Sequence, residues 1–432
     1  MICKNLTVDE RGILLFAGQD TVSLLRTYGS PLYLMDEDLI RERCRTYREA
    51  MKEYFGQDAL PLYASKAASF KEIYRIMKEE QMGIDVVSCG EIITAHEAGF
   101  PLEQAYFHSN NKTDADIAYA IEKGVGYFVV DNEDELYAIE DIAAKKNHSQ
   151  KILLRLTPGI DTHTYEAVNT GKVDSKFGSA IETGQAEAIT ALALSLSHID
   201  LRGFHCHVGS QVFDSDTFIR SSEIMMEFIG KIREKYGYTA KELDLGGGYG
   251  VRYLETDPEL DIAANIAEVA KAVKSQAAAL DLPMPAIRLE PGRSIVADSG
   301  MTLYTIGTIK KIPGYKNYIS VDGGMSDNPR YALYGSEYTV VAPDRMKEEC
   351  DFPCSLVGRC CESGDIIQEN ITLPASLKRG DPIAVLTTGA YNFSMASNYN
   401  RIPRLPIVML KGGTHRLVVK RETIEDVMQN DL

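Results

Sequence analysis

A lysine at the end of an apolar run is the residue of this sequence whose type and position first suggest covalent chemistry. Lys66 lies in the segment Tyr63-Ala-Ser-Lys-Ala67, among small and apolar residues. Most lysines are solvated at the surface, and a single lysine is usually of that kind. A lysine that is desolvated at the end of a strand, however, loses its charge readily and can form a Schiff base with a carbonyl compound.

Two glycine-containing segments could bind an anion. In Gly246-Gly-Gly-Tyr-Gly250, several backbone N–H groups could converge on a phosphate, although a tight turn is the more frequent explanation of such a run. Glu290-Pro-Gly-Arg293 follows a later apolar run. Phosphate sites of barrel proteins are often built by the loops after strands seven and eight. The two segments together therefore favour a phosphate site.

The segment His205-Cys-His-Val-Gly-Ser-Gln211 carries two alternating histidines, His205 and His207. In a strand they would share one face, which is compatible with a metal site. No third ligand is evident nearby in the sequence, so no metal is expected. A planar imidazole can instead stack on a flat cofactor, and Ser210 can donate a hydrogen bond to a phosphate.

The segment Gly358-Arg-Cys-Cys-Glu-Ser-Gly-Asp365 brings two thiols and two carboxylates together. This composition suits a reactive loop, although an acidic turn is the more frequent explanation. Asp327-Asn-Pro-Arg-Tyr331 and Gly389-Ala-Tyr-Asn392 are equally ambiguous by themselves. The eight cysteines include no pair in C-x-x-C spacing, which argues against a zinc ribbon and suggests that most are small buried hydrophobic residues.

The elements that must position these residues follow a repeating pattern, in which an apolar run ends in polar residues and an amphipathic stretch follows. The runs are Leu60–Ser65, Gly83–Val87, Gln104–Phe107, Tyr127–Val130, Ile152–Leu156, Leu201–Phe204, Glu242–Leu245 and Ala286–Leu289. Stretches between them, such as Asp114–Gly124, Glu133–Lys146 and Ile262–Leu280, have apolar residues at helical spacing, which predicts helices.

Strands that alternate with helices are typical of a parallel sheet. Eight repeats predict a (β/α)8 TIM-like barrel, whose usual size is roughly 250 residues. A doubly wound open sheet, the competing fold, would normally carry a glycine fingerprint near its start, and none is seen there. In a barrel the polar ends of all the strands meet at one face, so the candidate residues would come together in one site.

From residue 301 the pattern changes to strands separated by Gly and Pro turns, such as Met301–Lys310, Tyr318–Val321, Ile383–Leu386 and Arg416–Lys420. We therefore expect an α/β protein with a barrel over residues 36–300 and a C-terminal β-rich domain over residues 301–432. Residues 1–35 are assigned to the β-rich domain as well, because Gly12–Phe16 can supply one of its strands. The Cys361 loop would belong to this domain.

The bulk composition sets further limits. The chain has 432 residues, 44% of them hydrophobic, and a formal net charge of −16. The length favours two domains, and the negative charge argues against nucleic-acid binding, which needs a basic surface. No apolar stretch reaches the roughly 18 residues of a transmembrane helix. Residues 1–11 lack the apolar core of a signal peptide, so we expect no membrane association and a cytoplasmic location.

In this order, the motifs resemble the fold type III decarboxylases that use pyridoxal 5'-phosphate (PLP), and most closely the diaminopimelate decarboxylases among them. The resemblance runs from Leu6 to beyond Arg401 and rests on Tyr63-Ala-Ser-Lys-Ala67, Asp161-Thr-His-Thr164, Ser175-Lys-Phe-Gly178, His205-Cys-His-Val-Gly-Ser-Gln211, Gly246-Gly-Gly-Tyr-Gly250, Glu290-Pro-Gly-Arg293, Asp322-Gly-Gly-Met325, Cys361-Glu-Ser-Gly-Asp365 and Gly389-Ala-Tyr391. It implies the alanine racemase-like fold type III architecture, a barrel with a C-terminal β-rich domain.

The resemblance also implies a role for each candidate residue. Lys66 would bind PLP covalently, Glu290 would face the pyridine nitrogen, and His207 would stack on the ring. The other cofactor-binding residues would be Ser210, Gly246, Gly247, Gly248, Pro291, Gly292, Arg293 and Tyr391. Cys361 would come from the partner subunit of a homodimer with shared sites and would deliver a proton after CO2 leaves.

The substrate that the resemblance implies is meso-2,6-diaminopimelate, which would be converted to L-lysine and CO2 in the last step of lysine biosynthesis. Its distal carboxylate would be bound by Arg293, Arg330 and Tyr334, with Tyr391 nearby, and its distal ammonium by Glu362. Ornithine-type relatives carry Cys-Asp where this chain has Cys361-Glu362. Competing interpretations are a decarboxylase of ornithine, arginine or carboxynorspermidine, an alanine racemase, and a PLP-binding regulator without catalysis.

Overall fold

The computed structural model describes residues 2–160 and 175–432, and its contacts divide the chain into two compact units. The unit that we call the barrel unit comprises Arg43–Gly250 and Glu259–Gly292. The other, the β-rich unit, comprises Met1–Glu42, Val251–Pro258 and Arg293–Leu432. The domain boundaries expected from the sequence, with a barrel over residues 36–300 and a β-rich domain over residues 1–35 and 301–432, remain a prediction. The motif Asp161-Thr-His-Thr164 lies outside the described residues.

Strands and helices alternate over much of the described chain. The strands are β1 (Leu6–Val8), β2 (Leu14–Phe16), β3 (Gln19–Asp20), β4 (Leu32–Asp36), β5 (Leu60–Ala64), β6 (Gly83–Val86), β7 (Ala105–Phe107), β8 (Tyr127–Val130), β9 (Gln150–Thr157), β10 (Ser179–Ala180), β11 (Ile199–His205), β12 (Glu242–Asp244), β13 (Ala286–Leu289), β14 (Gly300–Lys311), β15 (Asn317–Val321), β16 (Val340–Val341), β17 (Phe352–Val357), β18 (Ile366–Leu373), β19 (Pro382–Leu386), β20 (Ile407–Lys411) and β21 (Thr414–Val419). The helices are α1 (Thr21–Tyr28), α2 (Glu37–Phe55), α3 (Lys71–Glu79), α4 (Cys89–Glu97), α5 (Asp114–Lys123), α6 (Glu133–Lys145), α7 (Gln185–Ser195), α8 (Asp216–Tyr236), α9 (Ile262–Ala279), α10 (Arg293–Val296), α11 (Arg330–Tyr334) and α12 (Ile424–Met428).

The barrel unit is built on a closed ring of parallel strands. In the described part of this unit the ring runs β9, β11, β12, β13, β5, β6, β7 and β8, and the pairing of β8 with β9 closes it. These strands coincide with the eight predicted apolar runs, with ends that differ by at most two residues. The predicted (β/α)8 barrel is therefore confirmed.

Local sequence signals define the helices around this ring. Helix α5 begins at a capping box, in which Thr113 and Asp116 each accept a hydrogen bond from the other's backbone N–H, and it ends at Gly124 with φ 76°. The predicted helices that begin at Asp114, Glu133 and Ile262 are present and end one residue earlier than expected. Among the described residues, no helix is both long and apolar enough to cross a membrane.

Side chains fill the interior of the ring. A buried cluster is formed by Leu62, Tyr106, Val129 and Leu153. The hydroxyl of Tyr106 accepts a hydrogen bond from Arg288 Nε at 2.9 Å and donates one to Glu242 Oε2 at 2.9 Å. Because these polar groups pair with one another, they satisfy their hydrogen bonds without water, and the barrel has a packed core rather than a channel.

The β-rich unit is organised around the long strand β14. Its described strands form a sheet in the order β18, β17, β15, β14, β4, β20, β21, and β19 also pairs with β14. The first half of β14 lies antiparallel to both β4 and β19, while its second half pairs with β15. This confirms the β-rich character expected after residue 300.

The N-terminal segment contributes to this unit in a way that the sequence did not indicate. The run Gly12–Phe16 contains β2, which forms a small sheet with β1 and β3. The N-terminal strand in the large sheet is β4, parallel to β20. All five residues of Leu32–Asp36 are buried, as expected for a central strand.

A buried carboxylate with three cationic partners, two of them partly exposed, stabilises the start of α2. Both carboxylate oxygens of Glu37 accept charged hydrogen bonds, from Lys411 and Arg41 on one side and from Arg416 on the other, at 2.6–2.8 Å. Burial would raise the pKa of Glu37, but these three cations lower it to about 2. Glu37 therefore ties residues 37–41 to β20 and β21.

We expect Glu37→Gln to lower the free energy of unfolding by about 1.5–3 kcal/mol at neutral pH, because it removes a buried charge with three charged donors. The folded pKa lies below the unfolded value of about 4.3, so this contribution is present above that value and is lost as the pH falls towards the folded pKa. Urea unfolding of both proteins between about pH 2.5 and 7, followed by circular dichroism, measures the difference.

Glu42→Gln is the matched control, since Glu42 pairs with Lys4 at a site where both side chains are more than half exposed. Its effect should stay below about 0.5 kcal/mol. Equal effects of the two substitutions, or a Glu37→Gln difference that persists at the lowest pH, would contradict this account.

Candidate active site

Hydrogen bonds connect the segments that follow neighbouring barrel strands. The N–H of Ala64 donates to the carbonyl oxygen of Pro291 at 3.1 Å, and that of Glu290 donates to Gly246 O at 2.8 Å. The segments after β5, β12 and β13 thus form one continuous edge of the barrel. This edge carries most of the residues that the sequence predicted for the site.

Several glycines of this edge leave no space for a side chain. A Cβ atom on Gly247 would lie 2.0 Å from Glu290 O, and one on Gly292 would lie 2.9 Å from Ala64 Cβ. Gly248 has φ +121°, and its Cβ would lie 2.3 Å from a backbone oxygen. The loops therefore approach one another by their backbones. Such an arrangement of glycines is what an anion site made of N–H groups requires.

Lys66 lies at this edge, in a 3-10 turn that directly follows β5, and its side chain is exposed. Its charge acts on two neighbours. Burial raises the pKa of Asp85 to about 6, while His108 and Lys66 favour the charged form of Asp85. Burial also lowers the pKa of His207, and the charge of Lys66 adds to that decrease. The amine of Lys66 therefore lies within electrostatic range of a buried carboxylate and an imidazole.

Glu290 is buried between two histidines. His108 Nε2 lies 2.7 Å from Glu290 Oε1, and His205 Nε2 lies 3.2 Å from Oε2. Burial by itself would raise the pKa of Glu290, but His108 and His205 outweigh that effect and hold the pKa well below its usual range. Glu290 is therefore a carboxylate at neutral pH, although it lies in the protein interior.

Two other buried carboxyl groups belong to the same cluster. Burial and the charge of Glu290 raise the pKa of Asp244 well above its usual range, although Asp244 Oδ1 accepts a hydrogen bond from Gly246 N–H at 2.8 Å. The pKa of Asp85 is raised as well, first by burial. Because adjacent carboxylates cannot all be charged at low cost, Asp244 is the member of the cluster that most readily stays protonated, whereas Glu290 stays charged.

His207 lies on the loop after β11 and is partly buried. Its Nδ1 accepts a hydrogen bond from Gly247 N–H at 3.3 Å. Burial, together with the charges of Lys66 and Arg155, lowers its pKa well below the usual range. His207 is thus a neutral, flat ring beside the glycine loop. Ser210, on the same loop, is also partly buried.

A second group of predicted residues lies in the β-rich unit. The guanidinium groups of Arg293 and Arg330 lie 4.8 and 5.2 Å from the centre of the Tyr391 ring. Arg293 also donates to Tyr253 Oη at 2.8 Å. Tyr334 lies one helical turn after Arg330, with its ring 5.5 Å from that guanidinium. Two buried guanidinium groups that share an aromatic ring can bind a carboxylate with directional hydrogen bonds.

Two features of Arg330 and Tyr391 indicate that these residues are suited to binding a ligand. Arg330 Nε is buried and has no hydrogen-bond partner among the residues that the structure describes. Tyr391 has φ 63°, a left-handed conformation that is uncommon for tyrosine and is found preferentially at functional sites. A polar atom without a partner and a strained backbone both cost free energy, and a ligand can compensate for the first.

The loop that follows β17 carries the exposed residues Cys361 and Glu362. Asp365 fixes this loop, since its carboxylate accepts hydrogen bonds from Met325 N–H and Cys360 N–H, each at 2.6 Å. Cys360 is half-buried, and burial raises the pKa of its thiol to about 11, whereas Cys361 faces solvent. All eight cysteines of the chain are free thiols.

Sequence analysis missed several residues of these two groups. His108, Asp85 and Arg155 belong to the charged cluster on the barrel edge, and Tyr253 and Asp365 belong to the β-rich unit. His108 immediately follows β7, so its place after an apolar run could have signalled it. Asp85 and Arg155 lie within strands, and the alternation of side chains along a strand does not show that these two residues belong to one charged cluster.

No third potential metal ligand lies near His205 in the sequence, but the fold brings two such residues next to it. His108, His205 and Glu290 place three potential ligand atoms within 4.8 Å of one another, although they come from separate strands. Direct contacts of the imidazoles with the carboxylate account for this grouping without an ion. The absence of a metal stays a prediction.

Comparisons with known proteins show the family to which the chain belongs. The model of the family described as "Pyridoxal-dependent decarboxylase, pyridoxal binding domain" matches residues 37–297. The chain is 44% identical over 424 residues to the diaminopimelate decarboxylase of Bacillus subtilis, with 98% of this chain and 96% of the relative covered.

Solved structures give the same result. The diaminopimelate decarboxylase from M. jannaschii aligns with a TM-score of 0.90 and 30% identity, covering 99% of this chain and 98% of that one. The diaminopimelate decarboxylase from Helicobacter pylori, solved in complex with L-lysine, aligns with a TM-score of 0.86 and 32% identity, covering 95% and 98%. The likeness thus extends over both units.

Proposed function

Because the chain belongs to the diaminopimelate decarboxylases, a family of pyridoxal-dependent enzymes, we propose that it converts meso-2,6-diaminopimelate to L-lysine and CO2, the last step of lysine biosynthesis. The observation that carries the proposal is the placement of Lys66, the ionised Glu290 and the close-packed Gly247 loop on one edge of one barrel.

The barrel edge fits PLP. Lys66 is exposed at the end of β5, where it can bind the aldehyde of the cofactor. Gly247, Gly248 and Gly292 leave room for a phosphate at the edge. The remaining cofactor contacts are assigned to Ser210, Gly246, Pro291, Arg293 and Tyr391. When bound, PLP supplies an electron sink for the negative charge that develops as the carboxylate of the substrate leaves.

The residues of the chain have distinct tasks around this cofactor. Glu290 presents a negative charge to the pyridine nitrogen and favours its protonated form. His207, which burial keeps neutral, would stack on the ring of the bound cofactor without adding a positive charge. Cys361 delivers a proton to the carbon from which CO2 has left. Its exposed position in the described chain is consistent with action in a site that a second subunit completes.

Recognition of the distal end of the substrate is assigned to the β-rich unit. The pair of guanidinium groups on Arg293 and Arg330 meets the distal carboxylate, together with Tyr334 and Tyr391. Glu362 meets the distal ammonium group. A substrate such as ornithine has no distal carboxylate and would leave Arg330 without a partner, which argues against an ornithine decarboxylase.

Neither an alanine racemase nor a regulator without catalysis accounts for the Cys361 loop. An alanine racemase has no use for the Cys361-Glu362 pair, and such a regulator would not need both Lys66 and Cys361.

The proposal further includes a homodimer with shared sites, in which Cys361 of one subunit serves Lys66 of the other. It also includes a cytoplasmic location, which the free thiols of all eight cysteines favour.

The first test is the reaction itself. Purified protein incubated with PLP and meso-diaminopimelate should release lysine and CO2. Lys66→Ala should abolish both turnover and the visible absorption band of covalently bound PLP, because no other assigned group can bind the aldehyde. Borohydride reduction followed by peptide mass spectrometry should find the pyridoxyl group on Lys66. Lys71→Ala, a substitution of the exposed lysine that begins α3, should behave like the native protein. A pyridoxyl group on another lysine would refute the assignment.

Substrate choice tests the arginine pair. Arg330→Ala should reduce kcat/KM for diaminopimelate about 10- to 150-fold, since a charged hydrogen bond in a partly desolvated site is worth roughly 1.5–3 kcal/mol. PLP affinity should not change, and native activity on ornithine should be poor. Arg404→Ala, at a half-exposed arginine of the same unit, is the control. A native preference for ornithine, or an equal loss for both substrates in Arg330→Ala, would refute diaminopimelate as the substrate.

Mixing two inactive variants tests the shared site. Lys66→Ala and Cys361→Ala should each be inactive, yet after subunit exchange some dimers contain one intact site, and activity should return to at most about a quarter of the native value. Cys360→Ala, which removes the neighbouring thiol, should stay active by itself. If exchange is confirmed by mass spectrometry and no activity returns, each site is made by one chain.

A further inference from the structure

Glu290 has a different histidine at each of its carboxylate oxygens. His108, which follows β7, contacts Oε1 at 2.7 Å, and His205, the last residue of β11, contacts Oε2 at 3.2 Å. All three side chains are buried. The two rings also pack edge to face, with centroids 4.9 Å apart. Glu290 is thus held between two imidazoles that are themselves fixed against each other.

The direction of the His205 hydrogen bond follows from its partner. A carboxylate can only accept, so His205 Nε2 must carry the proton. Its Nδ1 is buried and has no partner in the part of the chain that the structure describes, so a second proton there would be costly. Burial accordingly lowers the pKa of His205. His205 is therefore a neutral donor with a fixed tautomer.

The remaining charged groups around Glu290 do not replace the histidines. Asp85 and Asp244 compete with it for negative charge. Lys66 and Arg155 act on the same cluster through their charges. By contrast, His205 hydrogen-bonds to the Glu290 carboxylate at 3.2 Å and the His108 imidazole lies 2.7 Å from its other oxygen, and these two contacts lower the pKa of Glu290 against the effect of burial. The two histidines therefore account for the depressed pKa of Glu290.

We propose that His108 and His205 are positioning residues that keep Glu290 charged and aim it at the pyridine nitrogen of the cofactor. The inference rests on the proposed contact between Glu290 and that nitrogen. A carboxylate oxygen has two lone pairs, so an oxygen that accepts from one histidine can still accept from the nitrogen. Loss of the two imidazoles would leave burial unopposed, Glu290 would take up a proton more easily, and the ring nitrogen would be protonated less firmly.

The test uses holoenzyme loaded with PLP that carries nitrogen-15 in its ring. In the native protein, the nitrogen chemical shift should report a protonated ring throughout the range from about pH 6 to 9. In His108→Leu/His205→Leu, the nitrogen should lose its proton within this range, with a decrease in proton affinity of about 10-fold or more, equal to about one pKa unit. Glu290→Gln supplies the reference spectrum for a ring without its carboxylate.

Two controls separate this role from packing. His108→Gln/His205→Gln keeps an N–H donor at each position and should retain most of the protonation. His198→Leu removes an imidazole that contacts Glu140 at 2.9 Å on the same unit and should leave the ring nitrogen unchanged. If the double leucine variant does not fold or bind PLP, the single variants His108→Leu and His205→Leu are measured, each with a smaller decrease expected.

A native-like nitrogen shift in the leucine variants would overturn the inference, and so would a glutamine variant as impaired as the leucine variant. One equivalent of a transition metal in the native holoenzyme, measured by plasma mass spectrometry, would also overturn it, because His108, His205 and Glu290 would then be ligands. A native protein that binds no PLP at all would instead refute the proposed function.

Discussion

Closure of the parallel strands into a ring is the constraint on which the site depends. A ring of parallel strands ends at a single edge, so residues from distant parts of the chain must meet there. Lys66, His108 and Glu290 follow β5, β7 and β13, and the ring brings them into one charged cluster. The glycines after β12 are then required, because Gly247 must fit against the backbone of Glu290.

The ring also buries several ionisable groups, and the surroundings of each group determine whether it is charged. Asp85, Asp244 and Glu290 are all buried, and burial favours the neutral form of each. Of these three, Glu290 is the one with a histidine at each oxygen and with a pKa far below the usual range. Asp244, whose pKa lies well above its usual range, takes up a proton most readily, so Glu290 keeps its charge in the protein interior.

The sequence was sufficient to locate the strands of the barrel and the candidate residues at their ends, but not to show which of these residues contact one another. Runs such as Tyr127–Val130 and Ala286–Leu289 are apolar and bounded by polar residues, and the observed strands have the same limits. Lys66 and the glycine loops follow such runs and could be located for the same reason. The contact of His205 with Glu290 joins residues far apart in sequence, and no periodicity reports which strands are neighbours across a ring.

The same limit explains the N-terminal region and the arginine cluster. Gly12–Phe16 was the more obvious strand by composition, yet the large sheet takes Leu32–Asp36, because its place beside β14 and β20 buries both faces. Likewise, Arg293 and Arg330 could be named only through a family resemblance. Their common contact with Tyr391 depends on a left-handed tyrosine conformation that residue types do not reveal.

The two units therefore differ in what they can select. The barrel edge offers the buried carboxylate of Glu290, the exposed amine of Lys66 and a close-packed glycine loop, which suit a cofactor with a ring nitrogen, an aldehyde and a phosphate. None of these groups can distinguish one amino acid substrate from another. That distinction needs charges matched to the distal end of the substrate, a task that the proposed function assigns to Arg330, Tyr334 and Glu362 of the β-rich unit. Substitution of Arg330 should accordingly change substrate choice, whereas substitution of Lys66 on the barrel edge or of Cys361 in the β-rich unit should abolish the chemistry.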